Sequence, residues 1–328
     1  MAKKEFIRVG EKKIIYKNPA KTVKQKADTT ESTKSNPIRL PTHSSESFEM
    51  VAICMQNIED DLEKEIFDIG GKQIKRHKRA VSFWGDLSVL YKANIWLRTA
   101  LKVLRPLYSF KAHSEDELYK KTKEYAWENL FSSDKTFVID FAVNSKNFAH
   151  SQFAALRLKD AIVDRFKEAG KERPNVDRED ADVRIHLHIR EGFVNISLDS
   201  SGEPLFKRGY RREQTAAPLN ETLAAALILK TGWKGEKDFF DPMCGSGTLA
   251  IEAAMIAANI PPNYNRTHFA FEAWADYDQE LFSRVLGEAK EAYKKPKGKI
   301  YAQDIKNHNL RATNLNIDAA NLTNYIQT

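Results

Sequence analysis

The sequence predicts an α/β protein whose C-terminal part is a parallel, doubly wound sheet. Two observations carry this. From about Arg211 onward, helix and strand patterns alternate: "APLNETLAAALILKTGW" as helix, "DFFDPM" as buried strand, "TLAIEAAMIAANI" as a helix apolar nearly all round, "GKIYAQD" as strand, "KNHNLRATNLNIDAANL" as helix. A glycine turn, Gly245-Ser246-Gly247, stands directly between the first of those strands and its helix. With 328 residues the chain has room for two or three domains, and no internal repeat is visible.

Two smaller α+β units precede the sheet. In the first, "FEMVAICM" reads as a strand, and "NIEDDLEKEIFDIGG" places Ile58, Leu62, Ile66 and Ile69 on one helical face before a Gly70-Gly71 stop. "AVSFWG" is a second strand and "LSVLYKANIWLRTALKVLRPL" a long helix halted near Pro106. In the second unit, "SEDELYKKTKEYAWENLF" is a helix with Ser114 as N-cap and Glu117 at the capping-box spacing. "TFVIDFAV" alternates as a half-buried strand, and "SQFAALRLKDAIVDRFKEAG" is a helix ending at Gly170. "DVRIHLHIREGFVNISLD" is a hairpin turning at Glu191-Gly192. The expected divisions are a basic tail and linker at 1–47, then 48–111, 112–210 and 211–328.

Composition narrows the function classes. The net charge of +7 lies wholly in residues 1–45, where eleven Lys/Arg face four acids, and the remainder is balanced. Such a tail either grips polyanions through counterion release or merely solubilises. Residues 17–47 are rich in Lys, Ser, Thr and Pro and read as linker, while "FIRVGEKKIIY" before them is a candidate short strand pair. No apolar stretch approaches the roughly 18 residues of a membrane span. "MAKKEFIRVGEKK" has no apolar run behind its lysines, so no export leader is expected. Two cysteines, Cys54 and Cys244, make no disulfide framework, and a cytoplasmic location is expected.

The glycine turn identifies a ligand class. Ligands of such sheets bind beyond the carboxyl ends of the strands, where a glycine turn lets them approach backbone. A phosphate-binding GxxxxGK[ST] is excluded because no Lys follows Gly247, and Ala250 stands where a dinucleotide fingerprint has its third glycine. Asp241 before the turn and Asp304 closing the next strand suit S-adenosylmethionine better. The second acid can accept from both ribose hydroxyls, and the first can help orient the methionine end.

"DPMCGSGTLAIEAAMIA" resembles the first cofactor motif of class I methyltransferases of the rRNA large-subunit guanine-N2 type, a family often labelled N6-adenine-specific DNA methylase. "NIWLRTALKVL", "FAHSQFAALRLKDAIVDRF", "RPNVDREDADVRIHLHIREGFVNISLDSSGEPLFKRGYR" and "AAPLNETLAAALIL" extend the resemblance over roughly 48–322. It implies a ferredoxin-like piece at 48–111, a THUMP RNA-binding domain at 112–210 and an incomplete Rossmann-like methyltransferase core at 211–328. By the same resemblance, Asp241, Pro242, Cys244, Gly245, Ser246, Gly247 and Thr248 line the methionine and ribose side of the cofactor. Asp304 holds the ribose, Ile305 lies against the adenine, and Asn220 touches the carboxylate end. Cys244 belongs to the loop pattern, and nothing near it would activate a nucleophile.

A base-amine methyltransferase also needs a polar clamp, [ND]-P-P-[YF], to hold the exocyclic amine and stack the flipped base. "IPPNY" at 260–264 lacks the leading Asn or Asp and follows the wrong element, so it reads as a helix stop. The chain is therefore expected to stop short of the third and fourth strands and the clamp, with no catalytic residue, no methyl transfer and weak cofactor binding. Expected RNA contacts are Arg157, Lys159, Arg173, Arg184, Arg190, Lys207, Arg208 and Arg211. The junction "SLDSSGEPLFKRGYR" is expected to set the orientation of the RNA domain against the core. His186 and His188 share a strand face but lack a third ligand, so no metal is expected. The expected partner is 23S rRNA, bound by a monomer away from membranes. DNA adenine methylation and a non-catalytic RNA-binding module remain open alternatives.

Overall fold

The computed structural model describes residues 45–148 and 150–328; nearly all of the basic tail and linker, with the candidate strand pair, lies outside them. The first strand, β1 (Phe48–Cys54), alternates buried and half-buried residues, as a strand covered on one face should. It is followed by α1 (Glu59–Asp68), β2 (Lys72–His77), β3 (Ala80–Gly85), α2 (Leu87–Trp96) and β4 (Ala100–Lys111). Then come α3 (Glu115–Lys123), β5 (Phe137–Asn144), α4 (Ser151–Glu168), β6 (Val183–Arg190) and β7 (Phe193–Asp199). All seven strands form one sheet in the order β2-β3-β1-β4-β7-β6-β5, antiparallel except for β5 on β6. The two small units thus share a single sheet, joined where β4 pairs with β7.

The expected long helix is corrected here. Helix α2 stops at Trp96, and the Leu/Ala-rich stretch after it is the twelve-residue strand β4. Its helical propensity yields to tertiary contacts: the Glu65 carboxylate accepts from the Arg98 and Thr99 amides at 2.9 and 3.0 Å, which pins an extended turn. Pro106, lacking an N–H, sits where the β4–β7 register shifts, a position that tolerates it inside a sheet. Other expectations hold. Ser114 caps α3 by accepting from the Glu117 amide, and Glu191 and Gly192, both at positive φ, make the β6–β7 hairpin turn.

The C-terminal part contains α5 (Glu221–Lys230), β8 (Phe239–Asp241), α6 (Thr248–Ala257), α7 (Gln279–Glu291), β9 (Ile300–Ala302), α8 (Asn307–Ala319) and β10 (Ile326–Gln327). Its strands are all parallel, in the order β10-β9-β8. A third strand is therefore begun, contrary to the expected stop before it: Ile326 and Gln327 pair with Ile300 and Tyr301. Helix α7 goes unread in the sequence, although Leu281, Phe282, Val285 and Ala289 form its buried stripe. It packs toward α2 through Tyr91, whose ring lies 5.4 Å from that of Phe282.

The "IPPNY" stretch is a helix stop, as expected, and also a bracket between the two sheets. Asn259 at φ 52° ends α6, and the Ile260 amide closes back onto Met255 O at 2.8 Å. Arg98 then donates to Ile260 O at 2.8 Å, and the fully buried Asn263 donates to Asn94 O at 3.1 Å. Asn94 in turn bonds both Ser200 and Ser201, so the segment after β7 is anchored to the same point.

Candidate functional site

Asp241 closes β8 and is nearly buried, with Met243 N donating to its Oδ1. The chain then turns through Gly245 at φ 58° and Gly247 at φ 83°, and α6 starts at Thr248. The neighbouring strand end is tied to this turn. Cys244 N donates to Gln303 O at 2.9 Å, and Asp304 accepts from Gly245 N at 3.0 Å and from Lys306 N at 2.9 Å. Two carboxylates thus stand at adjacent strand ends around one glycine turn. Burial, with Asp304 as neighbour, raises the Asp241 carboxyl above its usual range. The Lys306 amide, with Asn309 and Gly245 in support, holds Asp304 below its own.

Helix α8 buttresses the turn from behind, which sequence reasoning missed. Thr313 Oγ1 donates to Gly245 O at 2.9 Å and lies 3.4 Å from Cys244 Sγ. A Cβ on Gly247 would come within 2.9 Å of Thr313, so that glycine makes room for α8 more than for a ligand. Buried Asn316 donates to Ser246 O and Glu213 O, and accepts from the Arg212 and Glu213 amides. Polar residues buried on a helix were the available signal.

The expected cofactor residues divide. Pro242 is exposed and Ile305 is 96% exposed, both beside the strand ends. Ser246 and Thr248 are each 3% exposed, and Arg211 engages both hydroxyls at 3.0 Å. Arg211 also bonds Leu219 O and Glu221. Asn220 is the N-cap of α5, its Oδ1 accepting from the Thr222 and Leu223 amides. Cys244 is buried and its thiol is pushed up by that burial, which removes thiolate character.

The expected RNA residues divide as well. Arg157, Lys159 and Arg173 come together with Tyr119 around a polar hollow of about 290 Å³. Arg157 stacks 4.6 Å over the Tyr119 ring and pairs with Asp116. Arg184 and Arg190 flank His186 and His188 on the face of β6 opposite buried Ile185, Leu187 and Ile189. Burial, then Lys102 and His188, push His186 down to about 4, so it is neutral near pH 7. Lys207 is exposed and paired with Glu203. Arg208 is a correction: its side chain is fully buried, bonded to Arg98 O, Leu205 O and Glu252, and cannot reach RNA. Arg211 is likewise turned inward, onto the cofactor turn. Among the described residues no cluster of His, Cys, Asp or Glu could hold a metal, and no helix could cross a membrane.

A parallel strand–turn–helix with carboxylates at two adjacent strand ends is the ligand-binding edge of a doubly wound sheet, and the chain's relatives place it in the class I methyltransferases. Family models agree: an RMKL-like methyltransferase domain matches residues 208–328, a THUMP domain 112–199, and an RlmL ferredoxin-like domain 49–104. The ribosomal RNA large subunit methyltransferase K/L of Aeromonas hydrophila is 41% identical over 241 residues, covering 74% of this chain and 34% of that protein. The chain thus spans about a third of the length of the curated relatives it matches. A predicted N6-adenine-specific DNA methylase from Listeria monocytogenes has a TM-score of 0.77 at 32% identity, over 86% of this chain and 74% of that one. SMU.472, a candidate methyltransferase complexed with SAH, has a TM-score of 0.76 at 29% identity, over the same shares. The chain belongs to this THUMP-containing, RMKL-like methyltransferase family.

Proposed function

We propose that this chain carries the RNA-recognition part and the cofactor loop of an S-adenosylmethionine-dependent methyltransferase acting on N2 of a guanine in 23S rRNA. The observation that carries the reading is the carboxylate pair Asp241 and Asp304 around the Gly245–Gly247 turn. Two acids at one site repel phosphate and favour hydroxyl donors and cationic groups. That suits a ribose and a methionine sulfonium better than a nucleotide's phosphates. Each Asp304 oxygen accepts a backbone N–H and keeps capacity for a ribose hydroxyl. Asp241 faces the methionine end, while Ile305 offers an exposed apolar side chain to the adenine. Pro242, Cys244, Ser246 and Thr248 shape the turn, and Asn220 fixes the start of α5 beside it.

The bound cofactor supplies an activated methyl group; the protein's own task is to position the acceptor. No [ND]-P-P-[YF] occurs in the 328 residues, and "IPPNY" is occupied as a bracket between sheets. On this reading the 328 residues by themselves transfer no methyl and bind the cofactor weakly or not at all. Calorimetry with S-adenosylmethionine tests this; micromolar binding, or labelled methyl passed to rRNA by the isolated chain, would overturn it.

RNA is favoured over DNA as the partner because a THUMP domain matches residues 112–199 and the curated relatives are named for ribosomal RNA. Adenine-N6 methylation of DNA is the second reading, supported by the Listeria relative's name. A monomer in the cytoplasm, where ribosomal RNA is found, completes the proposal.

A further inference from the structure

We propose that the groove between β5 and α4 seats unpaired RNA nucleotides, their bases stacked on its aromatic and apolar wall. The proposal rests on the RNA reading above and adds the class of RNA, single strand in place of duplex. Strand β5 is the edge of the seven-stranded sheet, and its outer flank is bridged at Phe137 by Val176. Beside it lies a groove of about 300 Å³. Its wall leaves Phe141, Leu156 and Val176 exposed at 40, 39 and 42%, and Phe153, three residues before Leu156 on α4, is 49% exposed. Three large apolar side chains in one groove wall, each more than a third in water, with Phe153 nearby on the same helix, are a cost that a packed core would have removed.

The charges around the groove select its occupant. Lys159 and Arg178 line it with no acidic residue in the lining among the described residues, and Lys159 is paired with Asp160 at 2.8 Å, which leaves Arg178 as the cation facing the groove without an acid in its lining. Lys159 also lines the adjacent polar hollow, where Arg157, Lys167 and Arg173 stand with Asp160 and Asp164, so the apolar shelf and this mixed-charge, net basic hollow share a wall. An apolar shelf rimmed by cations fits a polyanion that carries π faces. Unstacked bases lie on aromatic rings while the phosphates follow the lysines and arginines. A duplex cannot use the shelf, because its bases are stacked on one another and show only their edges. An apolar protein segment would use the shelf but would gain nothing from Lys159 and Arg178.

The test is fluorescence anisotropy of the 328-residue chain with a labelled unstructured oligouridylate and with a labelled RNA duplex of equal length, across a salt series. The single strand should bind more tightly. Phe141→Ala combined with Phe153→Ala should weaken it about tenfold without changing the salt slope, since stacking is not a phosphate contact. Phe141→Tyr should retain the affinity. Lys159→Ala should lower the salt slope by about one. Thermal melting of each variant separates loss of binding from loss of fold, and any variant that unfolds is replaced by Phe153→Ser, which alters one exposed helical side chain. If single strand and duplex bind equally, or the Phe variants bind as wild type, the groove proposal fails while the RNA reading stands. If a chain that binds RNA regardless also self-associates through Phe141, the groove is a protein interface and the proposal fails. If no RNA binds at all, the RNA reading itself fails.

Discussion

In the seven-stranded sheet, β1, β4, β6 and β7 run seven to twelve residues and bury Met50, Val103, Leu187 and Val194 in an apolar interior. In the three-stranded sheet, β8 and β9 have three residues and β10 has two, and polar groups do much of the fastening. Asn316 and Thr313 hold the cofactor turn, and Arg211 ties it to α5. Arg208, Glu252, Arg98 and Asn263 join this part to the first sheet through a buried, partly charged seam. Burial raises the Glu252 carboxyl and lowers the Arg98 guanidinium, the mark of charges held away from water. A buried charge left without its partner is costly, on the scale of a cavity in an apolar core. The seam between the sheets is therefore a place where single changes should act strongly.

Removing one charge from the seam should give the largest effect. Glu252→Ala leaves Arg208 buried without its carboxylate and should cost about 3–5 kcal/mol in denaturant unfolding. Replacing both partners, Arg208→Met with Glu252→Leu, should cost distinctly less. Equal losses from the single and double changes would show that packing, not charge pairing, matters there. Next in size, Asn316→Ala strips partners from two backbone amides and two carbonyls and should cost about 2 kcal/mol. Hydrogen exchange should quicken at residues 245–248 and stay unchanged in β6; uniform quickening would contradict a local buttress.

The smallest effect lies in the first sheet and depends on pH. His186 is held down to about 4 in the fold, mainly by burial, against an unfolded value near 6.5. Between these values the unfolded chain takes up a proton that the native chain refuses. Stability is therefore lost as pH falls from about 6.5 toward 4. His186→Gln should flatten that limb of the stability curve. An unaltered limb would mean that the imidazole is not held neutral.

These contrasts also explain what could be read from the sequence. The strand, glycine turn and helix at 239–257 are legible because their signals agree over one short stretch, and the β6–β7 hairpin because alternation and turn chemistry coincide. Strand β4 is not, because its Leu and Ala content favours helix locally and only Glu65, more than thirty residues earlier, fixes the extended turn before it. Arg208 reads as an RNA contact because sequence does not distinguish a solvated arginine from one facing a buried glutamate 44 positions away. Thr313 and Asn316 were invisible for the same reason: their partners lie about 70 and 100 residues upstream.

Methylation of guanine N2 in large-subunit rRNA is the activity proposed for the enzyme to which this chain belongs. Base-resolved methylation mapping of 23S rRNA and genomic DNA, in cells with and without the gene, tests it most directly. The account predicts that one N2-methylguanine disappears from the rRNA while adenine methylation of the DNA is unchanged. Intact rRNA methylation together with lost N6-methyladenine in DNA would contradict it.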